Sequence, residues 1–210
     1  MRRTLQLIGR AIRKGSEDLR IRNRAAALAS TAPRKDYLSQ ARKIFDGFLS
    51  GWRYVKDPTS KELLSFSPDA LWNLVIGGDG RGAGAGYGVG DCDCATAALG
   101  ALYESVGFPV RIATTSPLSA PAGDTFGHVF PQVLIQKIGW VTADPVLAPH
   151  KGFGEITPHS RLAIWDLDGR LLGALGNYHE KKKECSLCSE LQALGALARI
   201  STNISRMMAF

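Results

Sequence analysis

The fold is decided by the stretch Gly90-Asp91-Cys92-Asp93-Cys94-Ala95-Thr96-Ala97-Ala98-Leu99. A loop with eight glycines among residues 77–90 leads into it, and the Ala- and Leu-rich sequence that follows has helical spacing. This pattern predicts a helix over residues 92–106, with Cys92 at its N-terminus. The unpaired backbone N–H groups at a helix N-terminus carry partial positive charge, which favours a thiolate over a thiol. The stretch therefore indicates a nucleophilic cysteine with a lowered pKa.

Hydrophobic spacing and turn residues place further elements on both sides of this stretch. The other predicted helices cover residues 3–30 with a weak point at Gly15-Ser16, 34–50 opened by Pro33, 68–76 capped by Ser67, and 187–208. The predicted extended segments and strands cover residues 52–58, 108–114, 127–136, 140–143, 161–167 and 170–175. Helices come first and an antiparallel sheet follows, which is typical of the α+β class.

The two termini are predicted to extend a central domain. We divide the chain into a basic N-terminal helical arm (residues 1–33), a central domain (34–178) and a C-terminal amphipathic helix (179–210). Residues 1–30 carry eight basic and two acidic side chains, so +6 of the net charge of +7 lies there. Such an arm fits an acidic protein surface or nucleic acid, and both terminal helices favour protein partners.

The sequence has no apolar run long enough to span a bilayer and no secretory signal, since arginines recur where a signal peptide is apolar. We therefore expect synthesis in a cytoplasm, with assembly into a particle as a route out. The four cysteines form two close pairs, Cys92/Cys94 and Cys185/Cys188. In a reducing compartment such pairs favour metal binding or redox chemistry over structural disulfides.

Two residues downstream complete a candidate nucleophilic site. His128 begins a predicted strand, and Asp144 ends the next one. A hairpin centred on Lys137-Ile138 would place residue i opposite residue 275 − i, so His128 would face position 147, a few residues from Asp144. A cysteine nucleophile needs a base and a group that orients the base, so Cys92, His128 and Asp144 have the composition of a triad.

The oxyanion of such a site needs two donors. The backbone N–H of Cys92 is one. Trp72, Asn73 and Tyr87 are the upstream candidates for the second, and the sequence does not choose among them.

These blocks resemble the transglutaminase-like superfamily, which has a papain-like cysteine-enzyme fold. The resemblance is carried by Gly90-Asp91-Cys92-Asp93, by Gly107-Phe108-Pro109-Val110-Arg111, by Gly127-His128-Val129-Phe130, and by Gly139-Trp140-Val141 with Asp144-Pro145. It covers about residues 35–146, and the segments Trp52 to Pro58 and Glu62 to Leu64 also resemble members from bacterial and phage genomes. It implies that Cys92 is the nucleophile, His128 the base and Asp144 the orienting acid. It also implies acyl transfer on a peptide or protein substrate, by hydrolysis or transamidation, with no cofactor.

One residue departs from the family pattern, because Cys94 stands where an acidic residue is usual. With Cys92, Cys185 and Cys188 it could supply four thiolates to a zinc or iron–sulfur site, which would make Cys92 a ligand. Otherwise Cys94 is a small buried residue. Two hypotheses follow: a cysteine peptidase, amidase or transamidase, and a catalytically silent structural component of a phage particle.

Overall fold

A computed structural model describes residues 2–57, 67–76, 88–118, 126–146 and 152–175 of the chain. The helices in these ranges are α1 (Arg2–Ser16), α2 (Leu19–Ala29), α3 (Tyr37–Ser50), α4 (Pro68–Ile76) and α5 (Cys92–Ser105). The strands are β1 (Trp52–Tyr54), β2 (Gly88–Gly90), β3 (Val110–Ser116), β4 (His128–Ile135), β5 (Gly139–Thr142), β6 (Arg161–Trp165) and β7 (Leu171–Leu175). The α+β prediction is confirmed.

The main sheet has five antiparallel strands in the order β5-β4-β3-β6-β7. Alternate side chains of a strand point to opposite faces. One face carries Ile112, Val129 and Val133, which pack in the same core as α5. The other face carries a smaller cluster with Phe130 and Leu162. The sheet therefore has one face under the central helix and a second with its own apolar contacts.

Helix α5 is the centre of the molecule and is buried from Asp93 through Tyr103. Its small residues let other helices approach closely: a Cβ added at Gly100 would lie 2.7 Å from the Cδ1 atom of Ile12 in α1. The hydroxyl of Tyr103 donates to the Ala41 carbonyl at 3.0 Å, which ties α5 to α3. The Ala-rich sequence thus gives a helix that is enclosed rather than amphipathic.

Helices α1 and α2 share this core. Leu5, Ile8 and Ile21 are buried with the residues of α5 in one hydrophobic cluster. Gly9 packs so tightly on the β6–β7 hairpin that an added Cβ would lie 1.9 Å from the Leu167 carbonyl oxygen. The boundary placed at residue 33 therefore does not separate two hydrophobic cores, although the basic side chains of α1 remain on the surface.

The helix boundaries differ from the predicted ones where polar caps intervene. The predicted helix over residues 3–30 is two helices that break near the weak point, because Asp18 caps α2 by accepting from the Arg20 N–H. The next helix starts at Tyr37, since Asp36 accepts from the Ser39 N–H and serves as its N-cap. The predicted opening by Pro33 was wrong.

Strands β1 and β2 form a short parallel pair, with Trp52 opposite Gly88 and Tyr54 opposite Gly90. Strand β2 was not predicted, because its three residues read as the end of the glycine-rich loop. Most of that loop (residues 77–87) and the predicted helix over residues 187–208 lie outside the described residues. In the described part of the chain, no helix is long and apolar enough to cross a membrane.

Candidate active site

Cys92 is the first residue of α5, as expected. Asp91 is the N-cap in extended conformation, and its carboxylate accepts from the Asp93 N–H at 3.3 Å. Strand β2 ends at Gly90, so Asp91 is the single residue between the strand and the cysteine. This strand-to-helix turn leaves Cys92 only partly buried, whereas the rest of the helix is enclosed.

The first turn of α5 lies against the start of β4. The backbone of Val129 is close enough to the sulfur of Cys92 to lower the pKa of that thiol. The buried hydroxyl of Thr96 lies 2.6 Å from the Cys92 carbonyl oxygen and 3.2 Å from the Val129 carbonyl oxygen. Val129 directly follows His128 on β4, and it lies next to both the sulfur of Cys92 and the hydroxyl of Thr96. The nucleophile candidate and the base candidate are therefore held at one end of the sheet. Thr96 gave no such signal in the sequence.

The hairpin of β4 and β5 brings His128 and Asp144 together. His128 Nε2 and Asp144 Oδ2 are 2.8 Å apart. The register differs from the predicted one by a single residue, because Gln132 lies opposite Thr142 rather than opposite Ala143. A shift of one residue exchanges the two faces of a strand, so the predicted register would have placed these side chains on opposite faces. The expected proximity is confirmed, through a three-residue turn (136–138) in place of the predicted two-residue turn, with Lys137 at φ 68°.

The hydrogen bonds of Asp144 fix the orientation of the His128 ring. Its Oδ1 accepts from the Val146 N–H at 3.0 Å, and its Oδ2 faces Nε2 of His128. An ionised carboxylate only accepts, so Nε2 carries the hydrogen and Nδ1 of the neutral ring has the lone pair. The Phe130 ring, 5.5 Å away between centroids, packs beside the imidazole. The arrangement leaves Nδ1 as the nitrogen able to accept a proton.

The electrostatics of Cys92 differ from the prediction. Burial raises the pKa of the Cys92 thiol to about 12, and the charges of Asp91 and Asp93 act in the same direction. The backbone of Val129 lowers it only in part. The predicted net lowering of the Cys92 pKa was therefore wrong, because burial and the neighbouring charges outweigh the helix N-terminus. A group with this pKa is a thiol at neutral pH, and any reaction as a nucleophile would first require a base to remove its proton.

The three upstream candidates for the second oxyanion donor lie in different surroundings. The guanidinium of Arg20 in α2 lies over the Trp72 ring at 5.7 Å, and Trp72 packs against the main core. Asn73 is partly buried on α4, and Tyr87 lies outside the described residues. Sequence reasoning missed Tyr54, which lies opposite Gly90 on β1. The only feature of the sequence that could have pointed to Tyr54 is a second aromatic residue, Trp52, two positions before it.

Cys94 is buried in the hydrophobic core, 4% exposed. Residues two apart on a helix point about 200° away from each other, so Cys92 and Cys94 are directed to different sides of α5. One atom each of Asp91, Asp93 and Cys94 lies within 4.8 Å of the others, a grouping that does not include Cys92. Cys185 and Cys188 lie outside the described residues, so the four-thiolate site stays a prediction that this geometry does not favour.

Of the other histidines, His159 is buried, and its Nδ1 lies 2.8 Å from the Thr157 carbonyl oxygen. His150 and His179 lie outside the described residues.

The comparisons with known proteins agree with this geometry. The chain matches the model of the transglutaminase-like superfamily over residues 24–145, which include Cys92, His128 and Asp144. No curated protein matches the chain.

Three solved structures are similar in fold. They are a candidate protease from Parabacteroides distasonis (11% identity, TM-score 0.49, covering 80% of this chain and 30% of that one), a candidate cysteine protease from Cytophaga hutchinsonii (15%, 0.43, covering 77% and 44%) and a Rad4–Rad23 complex bound to a 6-4 photoproduct UV lesion (13%, 0.40, covering 83% and 44%). The chain spans less than half the length of each of these proteins.

Proposed function

Because this chain belongs to the transglutaminase-like superfamily, we propose that it is a cysteine-dependent acyl-transfer enzyme acting on peptide-like amides. Cys92 is the nucleophile, His128 the general base and acid, and Asp144 the residue that orients His128. The observation that carries the proposal is the 2.8 Å pair of His128 Nε2 and Asp144 Oδ2 beside the start of α5. It leaves one ring nitrogen available for the proton of the thiol.

The proposed reaction runs through a thioester. His128 Nδ1 takes the Cys92 proton while the sulfur attacks the carbonyl carbon, and the tetrahedral oxyanion accepts from the Cys92 backbone N–H. The C–N bond then breaks, and the leaving amine takes the proton from the imidazolium. Attack on the thioester by water gives hydrolysis, and attack by a second amine gives transamidation. No cofactor takes part in any of these steps.

The first test is acylation by p-nitrophenyl acetate, followed by intact mass and peptide mapping. We expect one acetyl group on Cys92, none in Cys92→Ser, and normal labelling in Cys94→Ser, which removes the other thiol of the same helix. Acetylation at other cysteines alone would contradict the proposal. So would stoichiometric zinc or iron that is released when Cys185 and Cys188 are changed to serine.

Hydrolysis and transamidation are separated by a second test. A glutamine-containing peptide mixture is incubated with the enzyme, with and without a dansylated amine, and analysed by mass spectrometry. A transamidase joins the amine to glutamine, whereas a peptidase or amidase gives new termini or glutamate in both samples. The absence of every such product, together with an unreactive Cys92, would favour the alternative of a silent structural component of a phage particle. The raised pKa of Cys92 is the observation that favours this alternative, because it makes the thiol less reactive.

We also propose that helices α1, α2 and α3 bind a protein partner with an acidic surface. Residues 2–50 hold twelve basic and four acidic side chains. The exposed Arg3, Arg10 and Lys14 lie seven and four residues apart and so share one face of α1. We further propose that the protein is made in the cytoplasm and that its partner is a component of a phage particle. Salt-sensitive binding of a duplex DNA fragment, lost in Arg10→Glu, would indicate nucleic acid as the partner instead.

A further inference from the structure

Tyr54 lies beside the turn that carries the nucleophile. In the parallel pair of β1 and β2, Tyr54 is opposite Gly90, and the Val55 N–H donates to the Gly90 carbonyl at 2.8 Å. Gly90 is two residues before Cys92, so the ring starts next to the strand-to-helix turn. Adjacent strands lie about 4.8 Å apart, which is within the reach of a tyrosine side chain.

The ring is held on one side and open on the other. Its centroid lies 6.3 Å from that of Trp52 in an edge-on contact, and Trp52 is stacked on Phe48 of α3 at 5.8 Å. Tyr54 is nevertheless 49% exposed. Among the described residues its hydroxyl has no hydrogen-bond partner, so an anchored and half-exposed aromatic ring beside the turn carries an unused donor.

The pKa of the Tyr54 hydroxyl depends on the charge of the candidate nucleophile. Burial raises the pKa of Tyr54, and the negative charge of Cys92 is the next largest cause, before those of Asp91 and Asp57. A phenol with a raised pKa keeps its proton at neutral and moderately alkaline pH. Tyr54 is therefore a neutral donor close enough to Cys92 to respond to a negative charge there.

We propose that the Tyr54 hydroxyl donates to the oxyanion of the tetrahedral intermediate, alongside the backbone N–H of Cys92. This assignment rests on the proposed function. It uses a residue on the strand that pairs with the turn, whereas the Trp72 ring is packed under Arg20. The bond is made to the charged intermediate, so it stabilises the transition state more than the bound substrate.

The test compares two reactions of the same thiol. Acylation by p-nitrophenyl acetate passes through an oxyanion, but alkylation by iodoacetamide displaces iodide and forms none. We expect Tyr54→Phe to slow acylation of Cys92 by about 10²-fold, the usual loss for one oxyanion donor, and to leave the alkylation rate unchanged. Tyr37→Phe removes the hydroxyl of another exposed tyrosine, on α3, and should change neither rate.

Each other outcome overturns the inference in a recognisable way. Equal losses in both reactions would assign Tyr54 to thiolate formation. An unchanged Tyr54→Phe with a raised KM in Tyr54→Ala would make the ring a substrate platform. A wild-type protein that is not acylated at Cys92 would overturn the proposed function as well. Far-UV circular dichroism and the melting temperature check that Tyr54→Phe is folded.

Discussion

Removal of the imidazole of His128 should change the pH profile of Cys92 more than any other single substitution in the site. Burial and two neighbouring carboxylates raise the pKa of Cys92 from an ordinary 9.0 to about 12. Without a base, the thiolate fraction at pH 7 would then be about one part in 10⁵, compared with about one in 100 for an unperturbed thiol. A positioned general base is worth about 10²–10⁴-fold in rate.

The assay is second-order alkylation by iodoacetamide between pH 5 and 11, with each cysteine followed separately by peptide mass spectrometry. We expect wild-type Cys92 to react at pH 7 at least about 100-fold faster than Cys92 in His128→Ala. In the variant the rate should still rise with pH at the upper end of the range, because its inflection lies at about 12. Wild-type Cys92 should also react faster than Cys185 and Cys188 below pH 7.

A second histidine provides the control. His159 is buried and contacts the Thr157 carbonyl, so His159→Gln should leave the profile of Cys92 unchanged. Identical profiles for the wild type and His128→Ala would refute the reasoning, because His128 would then have no part in deprotonating the thiol. An inflection below pH 7 in both proteins would show that another group lowers the pKa of Cys92.

Three further predictions concern the packing of α1, the hydroxyl of Thr96 in α5 and the ionisation of Cys92. Gly9→Ala should destabilise the fold by about 1–3 kcal/mol in urea unfolding, because its Cβ meets a backbone carbonyl, whereas Gly173→Ala on β7 meets nothing within 4 Å and should be near neutral; equal effects would contradict the close packing of α1. Thr96→Val should cost about 1 kcal/mol and slow acylation, while Ser105→Ala, which removes a hydroxyl at the other end of α5, should not affect acylation; normal acylation in Thr96→Val would exclude a positioning role. Between pH 9 and 12 the wild type should lose up to about 4 kcal/mol of unfolding free energy relative to Cys92→Ala, since only the unfolded thiol ionises readily there; a constant difference would contradict the raised pKa.

Sequence patterns were sufficient for the elements whose cause is local. The helix start at Cys92, the N-cap Ser67 of α4 and the paired strands on either side of residues 168–169 each depend on a few neighbouring residues, and all three were predicted. The parallel pair of β1 and β2 depends on residues about 35 positions apart, and neither short strand has a hydrophobic pattern of its own. Tyr54 was therefore missed, although β1 places it opposite Gly90, two residues before Cys92.

The register of the β4–β5 hairpin shows how little separates a correct prediction from a wrong one. The spacing of His128 and Asp144 identified both residues, but a turn centred half a residue later would have directed their side chains to opposite faces of the sheet. The observed turn uses Lys137 in the left-handed region, with φ 68°, and Gly139 at φ 103°. A two-residue turn at Lys137-Ile138 would need a positive φ at Lys137 and, in its commonest type, also at the β-branched Ile138, whereas the three-residue turn has its second positive φ at a glycine.

The sign of the pKa shift at Cys92 follows from a competition that the sequence does not display. A helix N-terminus stabilises a negative charge by about 0.3–2 kcal/mol. A rise of three pKa units corresponds to about 4 kcal/mol against the thiolate, so burial and the neighbouring charges outweigh the helix. Asp91 acts on both sides of this competition, because the carboxylate that starts α5 also repels a negative sulfur one residue away. In the proposed mechanism the thiol therefore depends on transfer of its proton to His128, and Asp144, which contacts that ring at Nε2, acts on the sulfur only through the histidine.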